Sequence, residues 1–480
     1  MSVLIVGAGP TGLTLACELL RRGIPVRLID SREKRGSFSK ALGIQARTLE
    51  HFAQMGIVDE FLKRGLKGKG VAVHWGNKEL HFDLDPLETR FPFLLVLPQM
   101  DTEEILLTHF EKMGGRIEWK STLVDLLEKE GKREAHIQLP TGERVVDHSS
   151  WIVGCDGAHS SIRHLLNLSF SGYPFPELFL LADIEGDIAS SLKTYAHFFL
   201  SRKGFCAAIP LPQFQQYRLI LPDVPKEEQN LLKVLEEREC SDKMQIRTIH
   251  WLSSFQIQRR MTKTLRVGNV FLAGDAAHIH SPAGGQGMNT GIQDAFNLAW
   301  KLAWVIRGKA FTSLLDTYEK ERIPIAKAVL RGTSRATSLI TFSQKWSPLL
   351  LFSFFKLMLL SKTVRGKVSN QLSQLAIHYK KSRRAPDAPL ENGKRVHDYL
   401  TDGKYLLLLF TENTPFLTKM RKRYGDILEI VLTHDPEARK IYKAEVYELV
   451  CIRPDGYIGY QASKGALLGC EQYLKSIFKT

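Results

Sequence analysis

The feature that most constrains this chain is a glycine turn set between two apolar segments, Gly7-Ala8-Gly9-Pro10-Thr11-Gly12. Before it, Val3-Leu4-Ile5-Val6 carries no polar residue, as in a parallel strand buried on both faces. After it, Leu13, Leu15, Ala16, Leu19 and Leu20 recur at helical spacing, and Val26 to Ile29 forms a second strand closed by Asp30. Glycines in such a turn let backbone N–H groups approach a pyrophosphate at a helix N-terminus, and the acid can accept hydrogen bonds from a ribose. The expectation is a dinucleotide-binding α/β unit. The fingerprint alone does not separate FAD from NAD.

A length of 480 residues exceeds one hydrophobic core. Helical spacing predicts helices over Asp101 to Lys112 and from Asn289 to about Arg307, and a helical pattern from Tyr318 to Tyr379. Trp151 to Val153 and Val270 to Ala273 read as buried strands, and Ser171 to Leu265 is strand-rich. Ser382 to Pro389 reads as a linker, and Lys380 to Arg384 as its solvated flank. Beyond it, strands are expected at Tyr405 to Phe410, Ile427 to Leu432 and Glu448 to Ile452, with helices at Pro415 to Tyr424 and Gly465 to Phe478. The expected domains are 1–170 and 266–332 as two parts of one α/β domain, 171–265 as an inserted, mostly antiparallel substrate domain, 333–385 as a helical segment and linker, and 386–480 as a C-terminal unit.

The formal charge of +15 invites a nucleic-acid partner, but no stretch pairs basic residues with base-stacking aromatics in a recognisable module. We expect no nucleic-acid partner. The six cysteines form no Cys-x-x-Cys pair and no cluster with histidine, which argues against a zinc site or redox dithiol and suits a reducing compartment. A buried strand beginning at Val3 leaves no room for a signal peptide, so a cytoplasmic location is expected. The run Pro348 to Leu360 is apolar except for Ser353 and Lys356, and too short to span a bilayer. Two readings stay open for it: a helix packed on the first domain or at a dimer interface, or a peripheral membrane contact flanked by Lys362, Arg365 and Lys367.

Two further segments carry chemistry. One is Gly154-Cys155-Asp156-Gly157, running on to Arg163; the other runs from Gly274-Asp275 through His278, His280, Pro282, Gly285, Gly287 and Met288 to Asn289. The second reads as a strand end with an acid, a glycine loop and a helix start. A helix N-terminus there would stabilise negative charge on the N1–C2=O edge of a reduced flavin.

These three motifs, in this order and spacing, resemble the p-hydroxybenzoate hydroxylase-like flavin monooxygenases over Ser2 to Gly332. The resemblance implies that Gly7, Gly9, Pro10, Thr11, Gly12, Asp30 and Arg32 hold the ADP part of FAD. Arg47, Gln99 and Leu123 are assigned to the same cofactor, and Asp156 to both FAD and NAD(P)H. Asp275 would meet the ribityl chain, and Pro282, Gly285, Gly287, Met288 and Asn289 the isoalloxazine, with Pro282, Gly285 and Gly287 nearest the chemistry. The implied fold is an FAD-binding Rossmann-like domain with the inserted substrate domain. The C-terminal unit, through Pro454-Asp455-Gly456-Tyr457-Ile458-Gly459-Tyr460, resembles the thioredoxin-like extension of one subgroup. It has Phe410-Thr411-Glu412-Asn413-Thr414-Pro415 where a dithiol would stand, so packing or homodimer formation is its expected role.

The implied reaction is hydroxylation of a small phenolic or polycyclic aromatic substrate: NAD(P)H reduces FAD, dioxygen adds at flavin C4a, and the hydroperoxide delivers one oxygen atom. No second Gly-x-Gly-x-x-Gly unit is present, in keeping with a family that has no separate NAD(P)H fold. A same-fold reductase or halogenase, and a non-enzymatic ligand-sequestering flavoprotein, are the rivals; a halogenase would be expected to show Trp-x-Trp-x-Ile-Pro, which the chain lacks. His278 and His280 are read as loop residues rather than bases. Tyr195, His197, Tyr217 and Arg218 are read as sheet packing rather than a substrate pocket.

Overall fold

The computed structural model describes residues 1–36, 41–83, 87–201, 203–222, 224, 230–281, 285–342, 352–353, 356–357, 361–380, 382–463 and 465–479. Val3–Val6 lies inside a six-stranded sheet, between Trp151–Gly154 and Val26–Asp30; Val270–Leu272 and Ile117–Trp119 extend it in parallel, and Arg266–Val267 adds an antiparallel edge. The helices Pro10–Arg21 and Gly287–Ile306 pack on one another, and Gln99–Lys112 packs against the first of them. Their apolar stripes and the strands share one core.

A second sheet of eight strands holds the strand-rich region, built on two long antiparallel strands, Phe170–Ile188 and Met244–Thr262. It reaches beyond 171–265 at both edges. Gly70–Trp75 pairs in parallel with Tyr195–Ser201 and brings Lys78–Asp83 with it, and His278–Ile279 pairs with the end of Met244–Thr262.

The C-terminal unit is a four-stranded sheet in the order Leu428–Leu432, Tyr405–Leu409, Tyr447–Ile452, Ile458–Ser463, with the first pair parallel and the others antiparallel. The strand Ile458–Ser463 and the helix Pro436–Ile441 were not expected from the sequence pattern. The helix begins with Asp435, whose carboxylate accepts from the Ala438 N–H at 2.8 Å, followed by proline at the first helical position.

The Gly287–Ile306 helix is buried on both sides, which explains its long apolar run. Ile292, Ala295, Phe296 and Ala299 face the first core, and Trp300 and Trp304 pack with Tyr405, Leu407 and Phe478 of the C-terminal unit. The segment expected to be a linker is not one. Ala385, Asp387 and Ala388 are buried, Ala385 N–H bonds to Gly456 O, and Arg384 pairs with the buried Glu50. Polar and proline-rich composition suggested solvation, but these backbone and charged groups find their partners across the junction. Of the apolar run 348–360, only 352–353 and 356–357 are described, and both short pieces are helical. Among the described residues no helix is long and apolar enough to cross a membrane.

Candidate functional site

The glycines of the first motif divide by role. Gly7 has φ +104°, and a Cβ there would lie 2.4 Å from Cys155 O; a Cβ on Gly12 would lie 1.9 Å from Gly7 O. Those two positions must be bare for the turn to close. A Cβ on Gly9 would meet nothing within 4 Å, so that glycine borders open space. Pro10 occupies the first helical position, and the N–H groups of Gly9, Thr11 and Gly12 donate to no described residue. Free donors at a helix start beside open space form an anion cradle.

Asp30 is tied to that turn. Its carboxylate accepts from Ala8 N–H at 2.8 Å and from the Arg32 backbone and guanidinium at 2.8 to 3.0 Å. Burial would raise its pKa, but the Arg32 contacts and the Ala8 N–H outweigh it and hold the group below the usual value. Its lone pairs are committed, so a ribose hydroxyl would have to share them with Arg32, whose side chain is 40% exposed.

The second motif adds an acceptor. Asp156 caps the next helix through Oδ2 and Ile162 N–H at 3.2 Å, while its Oδ1 is buried without a partner. Burial raises this carboxyl. Arg163 is locked on the carbonyls of Ala276 and Ala158, which ties the second motif to the third.

In the third motif, Asp275 is accessible to water and forms no hydrogen bond to a described residue. Desolvation by the surrounding protein raises its carboxyl, His278 opposes that and Asp294 adds to it. A Cβ on Gly274 would lie 2.6 Å from Thr11 Oγ1, and one on Gly291 2.3 Å from the same oxygen. The first and third motifs therefore meet at Thr11. Gly285 has φ +62° and faces Gly43; the N–H groups of Gly287, Met288 and Asn289 donate to no described residue. The Asn289 side chain is spent on protein: it accepts from Gln45 N–H at 3.0 Å and donates to the carbonyls of Gly43 and Gly285 at 2.8 Å each. Pro282 lies outside the described residues.

Three other expected residues have partners within the protein. Arg47 is fully buried, bonded to Glu50 and to Asp455 O, with its guanidinium 5.0 Å from the Tyr457 ring centroid. It faces the C-terminal unit. Leu123 is a core residue paired with Ile137, and Gln99 opens its helix with Nε2 on Glu103. Tyr195, His197, Tyr217 and Arg218 are buried within the large sheet. Sequence reasoning missed Gly43, Gly291, Asp294 and Arg322. A signal for Asp294 was present: a carboxylate placed between Ile292 and Ala295 on an otherwise apolar stripe.

Backbone donors at two helix starts without a partner among the described residues, a buried oxygen on Asp156 likewise unpartnered and an open carboxylate on Asp275 suit an extended ligand with an anionic middle and a hydroxylated chain. FAD has that shape, and the residues fit it.

The comparisons agree. The family model described as FAD binding domain matches residues 1–333, and the one described as aromatic-ring hydroxylase, C-terminal, matches 378–480. A 6-methylpretetramide 4-monooxygenase from Streptomyces rimosus is 34% identical over 97% of this chain and 91% of its own. A flavin-dependent monooxygenase from Mycobacteroides abscessus is 34% identical over 97% and 98%. The solved anhydrotetracycline hydroxylase from Streptomyces rimosus superposes with a TM-score of 0.84 at 31% identity, covering 99% of each chain.

Proposed function

The chain belongs to the FAD-binding aromatic-ring hydroxylases, and on that premise we propose that it hydroxylates a phenolic or polycyclic aromatic compound with NAD(P)H and dioxygen. The observation that supports this most is the convergence of three motifs, through Gly7 on Cys155 and Thr11 on Gly274 and Gly291, around one set of free donors and acceptors. FAD, when bound, would supply the redox chemistry by which two electrons from NAD(P)H and one dioxygen yield a hydroxylated ring and water. Backbone N–H groups of Gly9, Thr11 and Gly12 would hold the pyrophosphate, and Asp275 a ribityl hydroxyl. The N–H groups of Gly287 to Asn289 would face the flavin edge where negative charge develops. Gly285 and Gly287 keep the chain backbone close to the ring in this reading.

The test is direct. Purified protein should be yellow with noncovalent FAD, and its NAD(P)H oxidation should rise with aromatic compounds in a screen that identifies oxygenated products. FAD-loaded protein that no phenol or polycyclic aromatic stimulates would overturn the reading.

The strand order and directions of the C-terminal sheet support a thioredoxin-like fold for that unit, and its buried junction with the Gly287–Ile306 helix favours packing within one chain over dimer formation. Six free, buried cysteines are in keeping with a cytoplasmic location. A peripheral membrane contact is also part of this reading. Residues 322–386 hold thirteen Lys and Arg and no Asp or Glu, of which Arg322 and Arg384 are taken up by buried carboxylates. Lys327, Arg331, Lys356, Lys367, Lys380 and Arg383 are exposed there and pair with no described carboxylate. Such a surface suits anionic lipid.

A further inference from the structure

Asp294 sits two turns into the Gly287–Ile306 helix and is 1% exposed. Three donors converge on it. Its Oδ2 accepts from the Gly274 N–H at 3.0 Å and from His278 Nε2 at 2.7 Å, and its Oδ1 from Arg322 Nε at 2.6 Å. Arg322, itself fully buried, also donates through Nη2 to the Thr290 carbonyl at 3.2 Å. A buried carboxylate is costly unless its lone pairs are filled, and here a guanidinium and two N–H groups fill them.

The placement of these bonds matters more than their number. Gly274 immediately precedes Asp275, the open acid of the candidate site, and has φ +62°. Thr290 immediately follows Gly287, Met288 and Asn289, whose N–H groups donate to no described residue. One ion pair therefore holds both the acid-bearing turn and the helix mouth. Neither Asp294 nor Arg322 is itself among the open donors and acceptors, so they act through the residues they hold. Beyond Arg322 the network continues: Nη1 reaches Tyr379 Oη at 3.5 Å, and Asn297 Nδ2 bonds that hydroxyl and the carboxylates of Glu321 and Asp455. The C-terminal unit is thereby joined to the same scaffold.

We propose that the Asp294–Arg322 pair is a positioning device that locks the Gly274–Asp275 turn to the mouth of the Gly287–Ile306 helix, and so sets the affinity and potential of bound flavin. This rests on the reading that the cradle holds FAD. A group that must be placed to within a fraction of an ångström needs a rigid support of this kind.

The experiment compares wild type, Asp294→Asn and Arg322→Lys for FAD affinity, midpoint potential of the bound flavin and thermal stability of the apoprotein. Asp294→Asn should bind FAD at least tenfold more weakly. Removing a negative charge beside the cradle favours the anionic reduced flavin, so the potential should rise by about 30 mV, a tenfold change for two electrons. Arg322→Lys keeps the charge but loses the forked contact, so it should weaken FAD with a smaller change in potential. If Asp294→Asn does not fold, the affinity of Arg322→Lys decides. Variants with a less stable apoprotein but wild-type FAD affinity and potential would overturn the proposal, because the pair would then be purely structural. Wild-type protein that binds no FAD would overturn the functional reading, and this inference with it.

Discussion

The Arg453 guanidinium grips the Glu321 carboxylate through two bonds of 2.6 and 2.9 Å, joining the C-terminal sheet to the helix Asp316–Phe342. Asp455 takes a second share of Arg453, and Lys301, fully buried, donates to Glu321 at 2.7 Å. Removing one partner of a buried pair leaves an uncompensated charge, at a cost of about 3–5 kcal/mol. Arg453→Met should therefore lower the melting temperature and speed proteolytic cleavage in 380–390, where the chain crosses the junction. An unchanged melting temperature and cleavage rate would show that the junction is held by its apolar contacts alone.

Asp275→Ala should weaken FAD retention. A lost charge-assisted hydrogen bond costs on the order of 1.5–3 kcal/mol, roughly ten- to a hundredfold in affinity. Equilibrium dialysis or flavin fluorescence measures it, and equal occupancy in the variant would count against Asp275 as the ribityl acceptor.

Gly285→Val should act on chemistry more than on binding. At φ +62° a β-branched residue is strained, and the loop it distorts leads into the N–H groups of Gly287 to Asn289. Losing one such donor to developing charge costs on the order of a hundredfold in rate. Stopped-flow reduction and reoxidation, with peroxide yield, should show slow reduction or uncoupled NAD(P)H consumption. Wild-type rates and coupling would remove this loop from the site.

His197 gives a pH prediction. It bonds His74 at 2.9 Å and the Leu192 carbonyl at 3.0 Å inside the large sheet, and burial pushes it down to about 4. The unfolded chain takes up a proton near pH 6.5 where the fold does not. The stabilisation is thus complete above pH 6.5 and lost as pH falls from there to about 4, on the order of 3 kcal/mol. His74, His280 and His397 are also lowered, so the wild-type slope is shared. His197→Asn should reduce that slope in urea titrations between pH 7 and 4.5, and an identical slope would mean that His197 does not contribute.

The basic stretch 322–386 should bring the protein to anionic liposomes at low salt and release it as salt is raised, each cation near the surface contributing about 1 kcal/mol. Flotation with anionic and neutral vesicles measures this. Protein that stays with the soluble fraction at low salt has no such contact.

Legibility followed locality. The fingerprint turn, the strands on either side of it and the long helix are encoded within a few residues, and the pattern placed them within one to two positions. Pairings across long separations were invisible: Gly70–Trp75 joins Tyr195–Ser201, and nothing in either segment names the other. The same holds for charge. Arg47 and Arg384 read as a cofactor contact and a solvated flank, because Asp455 O reaches Arg47, and Arg384 reaches Glu50, only after the C-terminal unit docks. In the site, glycines and acids were legible by type, but which of them touch the ligand and which hold the scaffold depends on packing. Asn289 and Asp294 both read as polar residues within the first two turns of one helix.

The interleaving of the two large sheets bears on how the protein is made. Val270–Leu272 completes the parallel sheet only by pairing with Trp151–Gly154, and the large sheet needs both Gly70–Asp83 and His278–Ile279. A nascent chain halted before residue 270 would carry unpaired strand edges and half of the cofactor cradle, a slow-folding state open to aggregation. Synthesis must therefore pass the second half of the domain before cofactor capture can begin. Free FAD in the cell would then act late, as a ligand that traps the finished topology rather than one that templates it.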